Sequence, residues 1–264
     1  MGLGRWSGMQ VQREQTQDEI IEALQRQVDK LKEDNFLLQD QLARKEQYIA
    51  MIAHELRGPL TPIISYAQIV ARPTQRPETI QRGTKVIIGQ ARRLTRLVDD
   101  LLDSSRLSSG QFTLKRETCD IAALAIEVVE ELRPLAPYHT LKLEIPEAPV
   151  MGNWDSGRLQ QALGNLLDNA IKYSDERTTV TARIWTEDDT VHVTVHNQGA
   201  SIPPAEIGRL FRPYVRLQAT SARQGSGLGL HITKSIIEAH GGTLRLEPHI
   251  EGQGTTFSFD LPLH

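Results

Sequence analysis

The sequence predicts an α + α/β fold: an N-terminal coiled coil and an antiparallel helical hairpin forming a dimeric four-helix bundle, then an α/β sandwich. Three observations lead there. Apolar residues recur in alternating steps of three and four from Ile21 to Leu56, a heptad seam that outlasts a helix of ordinary length. After the polar, proline-bearing turn RPTQRPET at 72–79, the same spacing returns in Ile80, Thr84, Ile87, Ala91, Leu94, Val98 and Leu101, as a helix folding back on the first requires. Beyond residue 111 short alternating strands interleave with helices, and helices over a largely antiparallel sheet make an α/β sandwich.

The elements follow in order. Residues 1–13, glycine-rich at the start, are expected to be a disordered tip or a cloning remnant. Residues 14–48 form the coiled-coil helix, with Ile21, Val28, Leu42 and Ile49 in one set of seam positions and Leu24, Leu31, Leu38 and Ile52 in the other. Asn35 interrupts the first set and Lys45 the second. A buried Asn at such a position sacrifices stability to fix register and favour a parallel pair. Residues 49–110 form the hairpin, closed by the serine-rich linker SSRLSSG at 104–110. Residues 111–264 form the sandwich, with strands expected at FTLKRE, TLKLEIP, TTVTARIWTE, TVHVTVHN, GTLRLE and GTTFSFDLP. Its long helix, SGRLQQALGNLLDNAIKYS, takes Asp155 as N-cap, and LGLHITKSIIEAH is stopped by Gly241 and Gly242.

Bulk properties narrow the function. A net charge of -3, from 30 basic and 33 acidic side chains, leaves no footprint for nucleic acid or an anionic membrane. The single cysteine, Cys119, has no partner for a disulfide or a thiolate metal site, so a reducing compartment is expected. There is no run of about 18 apolar residues, and MGLGRWSGM lacks the core of a secretion signal. A cytoplasmic chain without a membrane span is therefore expected.

Four stretches carry chemistry. In AHELRGPLTPI, residues 53–63, His54 falls opposite the seam and so faces solvent, beside Glu55. Gly58 lowers helix propensity by about 1 kcal/mol relative to alanine, and Pro59 removes a backbone donor, so the helix should bend or loosen there. In NLLDNAIKYS, Asn165 and Asn169 share a helix face and Lys172 follows, with Tyr173 beside it. Two amide oxygens and an ammonium on one stripe suit a hydrated Mg²⁺ bridging phosphates, although solvated asparagines are the ordinary reading. GSGLGL, residues 225–230, places Gly225, Gly227, Gly229 and Leu230 at a helix start, which reads equally as a flexible glycine turn or as a place where backbone amides approach phosphate. A polar loop precedes it, so it is not the strand-linked glycine fingerprint of dinucleotide-binding folds. In VHNQGASIPPAEIGRLFRPYVR a strand ends at Asn197, turns at Gly199 and runs into Arg212 and Arg216.

Other histidines read as structural. HELRG begins like a zinc-protease motif, but its second histidine position is Gly58. His192 and His196 share a half-exposed sheet face, and His240 sits at a helix end, where it complements the dipole.

Taken in order, these pieces resemble the sensor histidine kinases of two-component systems. HELRGPLTPI looks like the H-box, NLLDNAIKYS the N-box, NQGASI the first glycine box, LFRPYVR the F-box and GSGLGLHI the second glycine box. The resemblance covers residues from about 45 to 264 and is specific because five motifs stand in order. It implies a phosphotransfer hairpin and a Bergerat-type ATP-binding domain, with ATP and Mg²⁺ as cofactors. It further implies a homodimer whose partner is a response-regulator receiver domain.

By the same resemblance His54 is the phosphoacceptor and Glu55 its base, Asn169 and Asn165 hold Mg²⁺, and Lys172 and Tyr173 contact phosphates. Arg212 and Arg216 neutralise transferring charge, while Gly225, Gly227 and Gly229 hinge the lid. Two departures stand out. Asn197 and Ser201 replace the usual aspartate and second glycine of the first glycine box, which implies weaker ATP binding. Gly58 stands where phosphatase-active members carry threonine or asparagine. Two alternatives remain open: a degenerate kinase acting as a regulator-binding scaffold, and a non-kinase ATPase of the gyrase, mismatch-repair or heat-shock chaperone type.

Overall fold

The computed structural model describes residues 3–73, 76–215, 227–248 and 254–263. It contains two compact units, Met1–His54 and Glu55–His264. The described chain begins with α1 (Leu3–Val70), which runs from the first unit into the second. Its seam residues Val28, Leu31, Leu38, Leu42 and Ile49 are 47–64% exposed on the single chain.

The second unit opens with the end of α1. Pro59 and Pro62 both lie inside that helix, so the loosening expected beyond His54 does not interrupt it. Helix α2 (Pro77–Ser108) begins with proline in its first turn, where the missing donor costs nothing. It runs through the serines assigned to a linker, because Asp103 and Ser104 are buried against the α/β layer and tertiary contacts override the weak helix propensity of serine.

The main sheet has five strands in the order β2-β4-β5-β7-β6, formed by β2 (Thr140–Glu144), β4 (Thr179–Glu187), β5 (Thr190–Asn197), β6 (Thr243–Leu246) and β7 (Thr255–Pro262). Only the β2–β4 pair is parallel. A separate ladder pairs β1 (Glu117–Asp120) with β3 (Met151–Trp154). This corrects the strand expected at FTLKRE: pairing starts only at Glu117, and Phe112 instead lies under the Arg158 guanidinium, 5.0 Å from ring centroid to Cζ.

Three helices, α3 (Ile121–Leu132), α4 (Ser156–Tyr173) and α6 (Gly229–Ala239), cover one sheet face; α5 (Pro204–Ile207) is a single turn. Asp155 caps α4 as expected, accepting from Arg158 N at 3.1 Å. On α4, Leu159, Leu163, Leu166 and Leu167 are at most 1% exposed, and each contributes about 1.5–3 kcal/mol by burial. The opposite stripe of α4 is thereby left for polar residues.

His240 corrects its sequence reading. It is 1% exposed, its Nδ1–H donates to Ile236 O at 2.8 Å, and its Nε2 accepts from Asp155 N at 2.9 Å. Burial holds it below the ordinary imidazole value, so it is a neutral clamp between the end of α6 and the start of α4 rather than a cation on a dipole.

The α2 contact with the α/β layer is polar. Asp103 accepts from both Arg158 Nη1 and Gln161 Nε2, and Ser104 Oγ lies 3.0 Å from the Tyr214 hydroxyl. Asp100, beside this cluster, is raised to about 6, chiefly by burial, with Asp103 and Asp99 adding and a Gln161 hydrogen bond and Arg96 opposing. A carboxyl raised on folding gives stability that is full below its unfolded value near 3.8 and is lost as pH rises through about 6. Asp100→Asn, which cannot ionise, is therefore expected to stabilise the fold at pH 7 by about 1–3 kcal/mol and to leave it nearly unchanged at pH 4. Thermal unfolding at the two pH values checks this, and equal effects at both would remove ionisation as the cause.

Candidate active site

The polar stripe of α4 is where the motifs meet. Asn165, Asn169, Lys172 and Tyr173 are all half-buried along it. Asn165 Nδ2 donates to Gly229 O at 3.3 Å, joining this stripe to the first turn of α6. Lys172 Nζ stands 5.1 Å from the Tyr173 ring centroid, so the ammonium is held over an aromatic face at the last turn of the helix.

At that end of α4 the chain meets the tip of β5. Ser174 bridges to Gly199, and a Cβ on Gly199 would stand 2.2 Å from Tyr173 O, so no other residue fits there. Asn197, two residues earlier, is 3% exposed and fixed between Val180 of β4 and Thr255 of β7. Its Nδ2 is buried with no hydrogen-bond partner. Leaving a buried donor unpaired costs about 1–3 kcal/mol, which makes it a place to look for a bound group.

The segment after β5 closes on the start of α6. Tyr214 N donates to Gly227 O at 3.0 Å, and Gly227 has φ +68 with its Cα against the Tyr214 and Val215 backbone. Phe211 O is 3.2 Å from His231 Nδ1, and the Phe211 ring meets Phe257 edge-on at 6.4 Å. Leu228 is fully buried and Leu230 packs partly on the core, so Gly229 is anchored between them. Arg212 is exposed. Arg216 and Gly225 lie outside the described residues.

On α1, His54 is exposed, while Glu55 is 9% exposed and counts with the buried residues. Gly58 has nothing within 4 Å of where its Cβ would be, so that helix position has room for a side chain. His196 and His192 sit on the half-exposed sheet face as expected; Nδ1 of the first lies 2.9 Å from Thr256 Oγ1 and the second stacks on Trp185 at 5.2 Å. Sequence reasoning missed Asp103, Ser104, Arg158, Gln161 and Tyr214, which tie α2 to this domain; only the buried placement of two acid–serine neighbours reveals them.

A polar helix stripe, a strand tip and a glycine turn over one sheet define the class. Residues 154–264 match the model of histidine kinase-, DNA gyrase B- and HSP90-like ATPases. Residues 44–110 match the His kinase A (phospho-acceptor) domain. The chain is 30% identical to the adaptive-response sensory kinase SasA of Synechococcus sp. (strain JA-3-3Ab), over 98% of this chain and 73% of that protein. It is 31% identical to the circadian input-output histidine kinase CikA of Synechococcus elongatus, over 96% of this chain and 34% of that protein.

Among solved structures, full-length ShkA in complex with AMPPNP superposes with a TM-score of 0.60 at 27% identity, covering 82% of this chain and 45% of that one. The chain belongs to the sensor histidine kinases. It spans 34%, 46% and 64% of the length of three of its curated relatives. Among the described residues no helix is long and apolar enough to cross a membrane.

Proposed function

We propose that the chain is an ATP-dependent protein-histidine kinase that phosphorylates His54 and passes the phosphoryl group to an aspartate of a response regulator. The observation that carries the reading is the exposed His54 within the phospho-acceptor match, ahead of an ATPase-type domain whose polar stripe, strand tip and glycine turn converge. That order of parts separates it from gyrase-type and chaperone-type ATPases.

The purine nucleotide fits the residues present. By the family resemblance, a base would lie at the strand tip near Asn197, whose Nδ2 is buried without a hydrogen-bond partner. Asn169, helped by Asn165, would hold Mg²⁺ through amide oxygens, and Lys172 and Tyr173 would meet the phosphates. Mg²⁺ would supply charge neutralisation on the transferring group. Gly225, Gly227 and Gly229 would let the turn close, and Arg212 and Arg216 would add positive charge.

On the acceptor side, a neutral imidazole keeps a ring-nitrogen lone pair with which to attack the phosphoryl group. Glu55 would orient it and take its proton. A second copy of the chain would cover the exposed α1 seam, each Leu or Ile so buried contributing about 1.5–3 kcal/mol, with Asn35 setting register. We place the domains at 14–48, 49–110 and 111–264, in a cytoplasmic location.

Incubation with γ-labelled ATP and Mg²⁺, followed by acid and alkali treatment, tests the reading: acid-labile, alkali-stable label is expected. Absence of label beside intact ATP binding would favour the scaffold reading, which the replacement at Asn197 keeps open. Gly58 offers no hydroxyl or amide to position water, so phosphatase activity toward the phosphorylated regulator is expected to be low. Gly58→Thr, which the free space accommodates, should raise that rate by about tenfold or more. An unchanged rate of regulator dephosphorylation would end this account of Gly58.

A further inference from the structure

Between Phe211 and Tyr214 the chain is fastened to the start of α6 at both ends. Tyr214 N donates to Gly227 O at 3.0 Å, and Phe211 O lies 3.2 Å from Nδ1 of His231 in the first turn of the helix. A carbonyl oxygen can only accept, so Nδ1 carries a proton whether the ring is neutral or cationic. The Phe211 ring is gripped as well: Lys234 Nζ, three residues along the same helix, stands 5.7 Å from its centroid, and Phe257 of β7 meets it edge-on at 6.4 Å.

Arg212 lies inside this bracket, its side chain exposed and its backbone nitrogen donating to Arg209 O at 3.0 Å. Tyr214, at the far end, has φ +64, a left-handed conformation that a bulky residue keeps only where its surroundings enforce it. The near end depends on His231. The same turn of α6 is tied to α4, since Gly229 O accepts from Asn165 Nδ2 at 3.3 Å. A chain of contacts therefore runs from the polar stripe of α4 through α6 to the segment that bears Arg212.

We propose that His231 is a positioning residue for the nucleotide: its Nδ1–H, by holding the Phe211 carbonyl, sets where Arg212 stands relative to the stripe carrying Asn165 and Asn169. The inference rests on the nucleotide-site reading above. The histidine acts through the backbone, and the arginine delivers the charge to the transferring phosphoryl group. Without the tie, Arg212 is placed from the Tyr214 end alone, and the arrangement ready for phosphate is less often populated.

Calorimetric titration of the full chain with Mg²⁺ and ATP or ADP tests this without relying on catalysis. His231→Ala is expected to bind ATP about three- to tenfold more weakly, the size of one lost hydrogen bond, while ADP, which lacks the transferring group, binds within about twofold of its affinity for the unsubstituted protein. His231→Asn, whose side-chain N–H stands as many bonds from Cα as Nδ1 does, should restore ATP binding. Arg212→Ala should show the same ATP-selective loss, and adding His231→Ala to it should cost little more. Equal weakening of ADP, additive losses in the double variant, or no recovery with asparagine would each reduce His231 to a packing role and overturn the proposal. Should the alanine variant fail to fold, the asparagine and Arg212→Ala proteins still decide it. If the unsubstituted protein binds neither nucleotide, the nucleotide-site reading itself falls, an outcome distinct from the others.

Discussion

His54→Ala is expected to lower incorporation of phosphate from γ-labelled ATP by at least about a thousandfold, because no second group replaces a deleted nucleophile. The effect should be confined to chemistry. His54 is exposed, so its truncation removes little packing, and the melting temperature and ATP affinity should hold. Restoration of labelling in a mixed dimer carrying one intact hairpin would further show that the loss is local. Persistence of acid-labile label in the alanine variant would overturn the assignment of the acceptor.

Asn169→Ala should be the next most damaging change, lowering the autophosphorylation rate by about 10²–10³-fold. The side chain is half-buried on α4, one turn beyond Asn165, whose own amide is engaged with Gly229 O at 3.3 Å. The Oδ1 of Asn169 is the hard oxygen that it would offer a hydrated cation, beside that of Asn165. The loss should appear as a higher Mg²⁺ requirement and be partly recovered in Asn169→Asp, which keeps an oxygen ligand. A variant with normal Mg²⁺ dependence would show that this asparagine has a packing role.

Much of the sandwich was legible because its signals are local. Strict alternation in TTVTARIWTE and TVHVTVHN gave β4 and β5, and Asp155 marked the start of α4 before any contact was known. What escaped depends on partners distant in sequence. MGNW, with a glycine and an asparagine, has little strand character; it becomes β3 because β1 pairs with it and Trp154 is buried, its Nε1 donating to Pro262 O at 3.0 Å.

The serines at the end of α2 have the composition of a linker but are held helical by Arg158, Gln161 and Tyr214. His240 has the placement of a surface cap, yet two backbone hydrogen bonds make its burial affordable and fix it neutral. The candidate site was legible as a set of motifs. The unpaired donor on Asn197 was not, since whether an amide finds partners is decided only by packing.

The Tyr214 phenol touches Ser104 on α2, while its own backbone nitrogen is held by the carbonyl of Gly227 at the glycine turn. One aromatic residue thus belongs at once to the grip on the hairpin and to the fringe of the proposed nucleotide site. Were a bound guest to draw this fringe inward and so shift α2, then by linkage a shift of α2 would change the affinity for that guest by the same factor.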